Sequence, residues 1–376
     1  MSSPHIVVFG PAYLDRVLES AQPLQPIADA PSLDQSLIAA RIEPLRESLV
    51  CLSGPSGDSL VFHLPEENVC PGMRVVLNEP VLARIYAGQT PPCVTGQYTM
   101  RTARLQLGGM GAGYAKACHG RLCAPFGDDE TGNYIQKMLK DEQVQVSPII
   151  LPGHASDTSL IILGPRGEKL AVGVRDALLH WTANDEEYAL AENARALIFC
   201  GAPNTLAANI ITRGVSATVM FAPNMRNIDE VEVPLTALAP SIHYLAMNAL
   251  EWAHLRDQQT LLQTIPLISI TNGAHGSHLY ICGRRHDIPA HPHPAPRDTN
   301  RAGETYGATL FKAILTLFPT FPQGQFDDDA LCYAAMLASR EASRQLDITS
   351  FDFPPDTWMQ DLRTRYPNPI ECYEER

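Results

Sequence analysis

No run in the 376-residue chain is apolar for long enough to cross a membrane. Positive charge is scarce: 28 Lys and Arg face 41 Asp and Glu, leaving a net charge of −13. That balance argues against nucleic acid or an anionic membrane as the main partner. Nine cysteines are present without a C-x-x-C pair, the pattern of free thiols in a reducing compartment rather than a disulfide frame or zinc site. The start, Met1-Ser2-Ser3-Pro4-His5, lacks the charged and apolar regions of a signal peptide. These absences lead to the expectation of a soluble cytoplasmic protein. An acidic chain that binds a polyanion must build a local basic site, so arginines near glycine-rich turns draw interest.

Apolar residues make up 45% of the chain, enough for a sizeable core. A β-branched run at His5–Phe9 is stopped by Gly10-Pro11, as a buried first strand would be. Further strands are expected at 122–126, 196–201, 217–221, 243–247 and 266–271, spaced by helical stretches. That alternation predicts an α/β fold with a mostly parallel sheet and ligands at the strands' carboxyl ends. Residues 17–104 break the pattern. They are Pro-rich, with short strand-like pieces at 48–52, 60–64 and 74–77 separated by turn clusters such as Ser53–Asp58. A hairpin is expected within 157–174. Asp128 and Asp129 precede a helix and read as caps.

The stretch Arg297–Leu310 carries the most chemistry. Prolines 294 and 296 precede it, and Ala302-Gly303 leads into an apolar helix. Such a helix start offers backbone N–H groups and a positive dipole end to a phosphate, and Glu304 stands where a carboxylate could take a proton. The segment Asp298-Thr299-Asn300-Arg301-Ala302-Gly303-Glu304 resembles the signature of the ribokinase-like (PfkB) carbohydrate kinases, Asp-Thr-x-Gly-Ala-Gly-Asp. Arg301 replaces the first glycine, and Glu304 replaces the catalytic aspartate. Further resemblances follow in family order over 5–16 and 107–345. Asp15 follows the first strand. Gly108-Gly109-Met110-Gly111-Ala112-Gly113 stands for Gly-Gly-x-Gly-Ala-Asn, with Gly113 in place of the Asn. Ala222-Pro223-Asn224-Met225-Arg226 lacks the family's leading Asp. Asn248 and Glu251 form an Asn-x-x-Glu, which alone also reads as a capping pair. Thr271, Gly273 and Gly276 resemble Thr-x-Gly-x-x-Gly.

The resemblance implies a ribokinase-like three-layer α/β/α sandwich, with 1–16 and 105–376 as the core. Residues 17–104 form an enlarged β-rich lid, and the 157–174 hairpin adds lid strands. It implies ATP-dependent phosphoryl transfer to a hydroxyl of a sugar or sugar-like molecule. Glu304 is then the base, with Arg301, Ala302 and Gly303 as the anion hole. Asp15, Gly109 and Gly113 lie at the acceptor; Thr271, Gly273, Gly276 and Thr299 at the nucleotide; Asn248 and Glu251 hold Mg2+ through water. A monovalent cation (K+) near Asp298 and a homodimer through the lid are also implied. Arg301 either fills the anion site or acts as a phosphate-binding fork, and the fork is the expectation. One added methylene at 304 moves the carboxylate by over ~1 Å, a misplacement that can cost ~10²-fold in rate. The alternative is a catalytically impaired family member that binds nucleotide or sugar in a regulatory role; a nucleoside kinase is the second.

Overall fold

The structure, a computed structural model, describes residues 5–20, 40–43, 49–53, 59–63, 74–77, 97–163, 169–294, 296–321 and 326–370. Much of the Pro-rich stretch 17–104 falls outside them.

A nine-stranded sheet forms the centre, running in spatial order Arg284–Ile288, Ser277–Ile281, Leu267–Thr271, Tyr244–Asn248, Thr218–Ala222, Ala196–Cys200, Ile6–Phe9, Arg121–Gly127, Gln145–Leu151. Pairing is parallel from Leu267–Thr271 to Gln145–Leu151, and the two strands at the far edge are antiparallel. The order reverses beside Ile6–Phe9, the switch point where ligands sit in open α/β sheets.

Alternation along the strands feeds two cores. Ile6, Val8, Ala196, Ile198 and Cys200 pack under the helices Met110–Cys118, Glu130–Asp141, Ala302–Leu317 and Asp328–Gln345. Val7, Phe9, Leu197 and Phe199 pack under Asp185–Glu192, Asn204–Ile211 and Gln258–Thr264. With both faces covered, Ile6–Phe9 is fully buried, which is why its sequence is continuously apolar. The expected three layers are therefore present.

A second, eight-stranded sheet runs Lys169–Val174, Thr158–Leu163, Tyr13–Ser20, Gln97–Gly108, Ser59–His63, Leu49–Ser53, Arg74–Leu77, Ala40–Glu43. Thr158–Leu163 and Lys169–Val174 make the expected hairpin. The boundaries drawn at 16/17 and 104/105 both fall inside strands of this sheet, because the chain enters it at Tyr13 and leaves at Gly108. Asp15 accordingly sits within a strand, opposite Gln106 and beside Ser159, and is not a turn residue.

Candidate active site

The signature helix Ala302–Leu317 is buried over most of its length, which anchors its first turn. Lys312, buried on it, donates from Nζ to the Ala117 carbonyl at 2.7 Å. This ties the signature helix to Met110–Cys118 beside it. Tyr306 hydrogen-bonds Ser277 at 2.8 Å, tying the same turn to the strand Ser277–Ile281. The helix begins on Arg301, whose φ of 65° is left-handed, and no side chain caps it. A non-glycine residue held there costs about 1 kcal/mol or more. Apart from its chain neighbours and its own helix backbone, no atom of the described residues lies within 4 Å of a Cβ placed on Gly303. An uncapped start opening on free space is the arrangement that accepts an anion.

The glycine turn 108–113 gathers the other parts. A Cβ on Gly108 would lie 2.0 Å from Oδ2 of Asp15, so the buried carboxylate occupies the space a side chain would take. A Cβ on Gly109 (φ 97°) would meet the Pro11 carbonyl at 2.4 Å, and one on Gly111 would meet the Gly10 carbonyl carbon at 2.4 Å. The turn is thus pressed against the end of the first strand. Gly113 faces the signature helix: its Cβ position is 3.5 Å from Glu304 Cγ and 3.8 Å from Phe353 Cζ. An asparagine there would have to share that space with the glutamate. Burial first, and then the charge of Glu304, push the Tyr114 hydroxyl and the Cys200 thiol above their ordinary pKa values. Glu304 therefore lies close to the end of the strand Ala196–Cys200.

Further along the central sheet, Asn248 and Thr271 are register partners across neighbouring parallel strands. Asn248 caps the helix Ala249–His254: its Oδ1 accepts from Glu251 N at 2.9 Å, and Glu251 Oε2 accepts from Asn248 N at 2.9 Å. The capping pair expected from the residues alone is real. Both side chains also present oxygen atoms, the donor type Mg2+ takes, at an exposed strand end, so they fit a water-mediated Mg2+ role. Gly273 and Gly276 both have positive φ (52° and 89°) in the turn after Thr271, and Gly276 backs onto the Ile288 carbonyl. Thr299 is exposed at the signature loop.

Arg301 departs from the phosphate-fork expectation. Its side chain is 8% exposed and lies beside Asp298, Nη2 to Oδ2 3.7 Å, with the Phe351 ring centroid 5.7 Å from Cζ. Nε and Nη2 are closed off from solvent and make no hydrogen bond among the described residues. A phosphate in the open mouth could not be gripped by those two nitrogens together. The Arg301 carbonyl accepts from both N and Oγ1 of Thr305 at 2.8 Å. Asp129 proves to be a cap, accepting from Gly132 N at 2.7 Å. Sequence reasoning missed Phe351, Phe353 and the packing of Gly108 on Asp15. The glycine pair was visible, but its packing partner Asp15 lies on another strand of the second sheet.

A helix start without a side-chain cap, a carboxylate in its first turn and a glycine turn packed on a second carboxylate are thus neighbours. The model of the pfkB family carbohydrate kinases matches residues 98–352, more than half of the chain. The chain belongs to this family. No curated protein matches it in sequence. Among solved structures it is similar to ribokinase from Giardia lamblia, at 14% identity and TM-score 0.65, covering 96% of this chain and 99% of that one. It is also similar to Arabidopsis thaliana ribokinase complexed with ribose and ATP, at 16% identity and TM-score 0.60, covering 96% and 98%. A third is the Burkholderia thailandensis nucleoside kinase in complex with inosine, at 13% identity and TM-score 0.62, covering 97% and 99%. These likenesses establish a ribokinase-like fold. No helix among the described residues is long and apolar enough to cross a membrane.

Proposed function

We propose that this protein transfers the γ-phosphoryl group of ATP to a hydroxyl of a sugar or sugar-like small molecule, with Glu304 as the general base. One observation carries the reading. Glu304 stands in the first turn of the uncapped signature helix and touches Gly113, in the glycine turn that also houses Asp15. That neighbourhood supports a carboxylate working between a phosphate end and an acceptor end. In this reading Asp15 accepts hydrogen bonds from acceptor hydroxyls, and Glu304 takes the proton of the attacking hydroxyl. The N–H groups of Ala302, Gly303 and Glu304 face the charge that develops on the transferring group. Thr271, Gly273, Gly276 and Thr299 border the nucleotide. Asn248 and Glu251 would hold Mg2+ through water, and the ion would supply neutralisation of phosphate charge. The second sheet, which carries Asp15, would cover the acceptor and exclude competing water.

The longer base is accommodated on the acceptor side. With glycine at 113, the extra methylene of Glu304 has room that a larger residue would fill. The same glycine removes a polar side chain from the acceptor site, so the acceptor is expected to be held by Asp15 and backbone groups.

The test is ADP release from MgATP across sugars, sugar phosphates and nucleosides, with Glu304→Gln in parallel. Turnover that requires an acceptor and falls by ~10²-fold or more in the variant supports the glutamate base. Turnover confined to nucleosides would make the protein a nucleoside kinase. Protection by MgATP against thermal unfolding without turnover on any acceptor would instead support a regulatory nucleotide-binding protein.

A further inference from the structure

Position 301 combines a backbone conformation that suits glycine with a long cationic side chain turned inward. Its surroundings are those of a cation. The Asp298 carboxylate, itself 8% exposed, lies 3.7 Å from Nη2. The Phe351 ring lies 5.7 Å from Cζ, and a ring presents negative charge at its face. Asp352 is close enough to feel the same charge: Ser350 and Lys116 hold its carboxyl below the usual range, and Arg301 adds to them. The loop and the 346–352 segment are already tied through backbone. Arg297 N and Asp298 N both donate to the Leu346 carbonyl, at 2.8 and 3.0 Å. Gln345 links Thr305 Oγ1 to the Asp352 carbonyl.

Nε and Nη2 make no hydrogen bond among the described residues, so Arg301 meets Asp298 by charge rather than by direction. A spherical monovalent ion acts in the same way. The resemblance places such an ion near Asp298, but here it would share a buried carboxylate with a guanidinium. Two cations gathered beside one carboxylate that is shielded from solvent repel strongly. The residues present therefore do not fit a bound K+.

We infer that Arg301 replaces the monovalent cation: its guanidinium is a covalently built-in counter-ion to Asp298, so this protein holds its signature loop without K+. The inference stands on the buried ion pair and leans on the kinase reading only for what the loop serves.

The test is the melting temperature of the full chain in KCl, NaCl and tetramethylammonium chloride at equal ionic strength, with and without MgATP. The parent is expected to melt at the same temperature in all three salts. Arg301→Gly, which removes the charge and suits the left-handed backbone, is expected to gain a saturable rise of several degrees specific to K+. A K+-specific rise in the parent overturns the inference, and so does an Arg301→Gly protein indifferent to the salt. Should Arg301→Gly not fold in any of the salts, Arg301→Lys decides. It keeps the charge and must stay insensitive to K+; a K+ response in it overturns the inference. None of these readouts needs turnover, so a failure here is distinguishable from a failure of the kinase reading.

Discussion

The helices Glu130–Asp141 and Asp328–Gln345 begin on Asp129 and Asp327, whose carboxylates accept from Gly132 N at 2.7 Å and Ala330 N at 2.9 Å. Met110–Cys118 and Ala302–Leu317, which meet at the site, begin instead on Gly109 and Arg301, both at positive φ and both without a side-chain cap. A cap contributes about 1 kcal/mol, and the two site helices forgo it. Their starts are held by packing: Gly109 against the Pro11 carbonyl, Arg301 through its buried side chain. Within these four helices, two starts satisfy their own N–H groups through a side chain, while the two that meet at the glycine turn are fixed from behind by packing.

The largest effect should come from breaking a packed start. Gly109→Ala puts a Cβ 2.4 Å from the Pro11 carbonyl at a φ of 97°, and combined strain and overpacking should cost about 3 kcal/mol in urea unfolding. A loss well under 1 kcal/mol would show that the turn is looser than its contacts imply. Breaking a capped start should cost less. Asp129→Ala removes acceptors for Gly132 N, Ser156 N and Ser156 Oγ. It should lower stability by about 1–2 kcal/mol while leaving thermal protection by MgATP unchanged.

Gly303→Ala sharpens the comparison, because stability and ligand binding should move in opposite directions. The new Cβ points into open space and helix propensity improves by about 1 kcal/mol, so the melting temperature should rise. MgATP protection should fall, since the methyl group stands where phosphate oxygens approach. Undiminished protection would remove Gly303 from the anion site. A pH-dependent effect concerns a carboxylate with few donors. Asp157 Oδ1 accepts from Asp176 N at 2.8 Å, but Oδ2 has no partner among the described residues. Burial raises its pKa from 3.8 to about 6, against the lowering influence of Arg175. The native state then binds more protons than the unfolded chain between those values, so stability should decline as pH rises from about 4 to about 6 and level off above. Asp157→Asn should flatten that slope in a series of urea titrations; an unchanged slope would assign it to other groups.

Much of this arrangement was legible beforehand. The parallel strands announced themselves as continuous apolar runs, because both faces of the sheet are covered. The hairpin at Thr158–Val174, the Asp129 cap and the Asn248–Glu251 pair follow from rules that act over a few residues. The signature loop stood out because its small residues precede a strongly apolar helix. The direction of the Arg301 side chain was not legible. Charge composition suggested an arginine reaching for phosphate, whereas the fold closes it against Asp298 and Phe351. The exact-looking boundaries of the insertion also dissolved, since Tyr13–Ser20 and Gln97–Gly108 each continue as one strand across them.

The chain's own sequence determined which segments are strands and helices, where helices are capped, and the order of the glycine and acidic motifs. These depend on side-chain pattern and backbone preference over one or two turns. Only the tertiary structure decided that Gly108 makes room for Asp15, that Gly113 makes room for Glu304, and that Arg301 pairs inward. Each of these depends on which buried space is already filled by an element distant in sequence, and that is settled when the layers close.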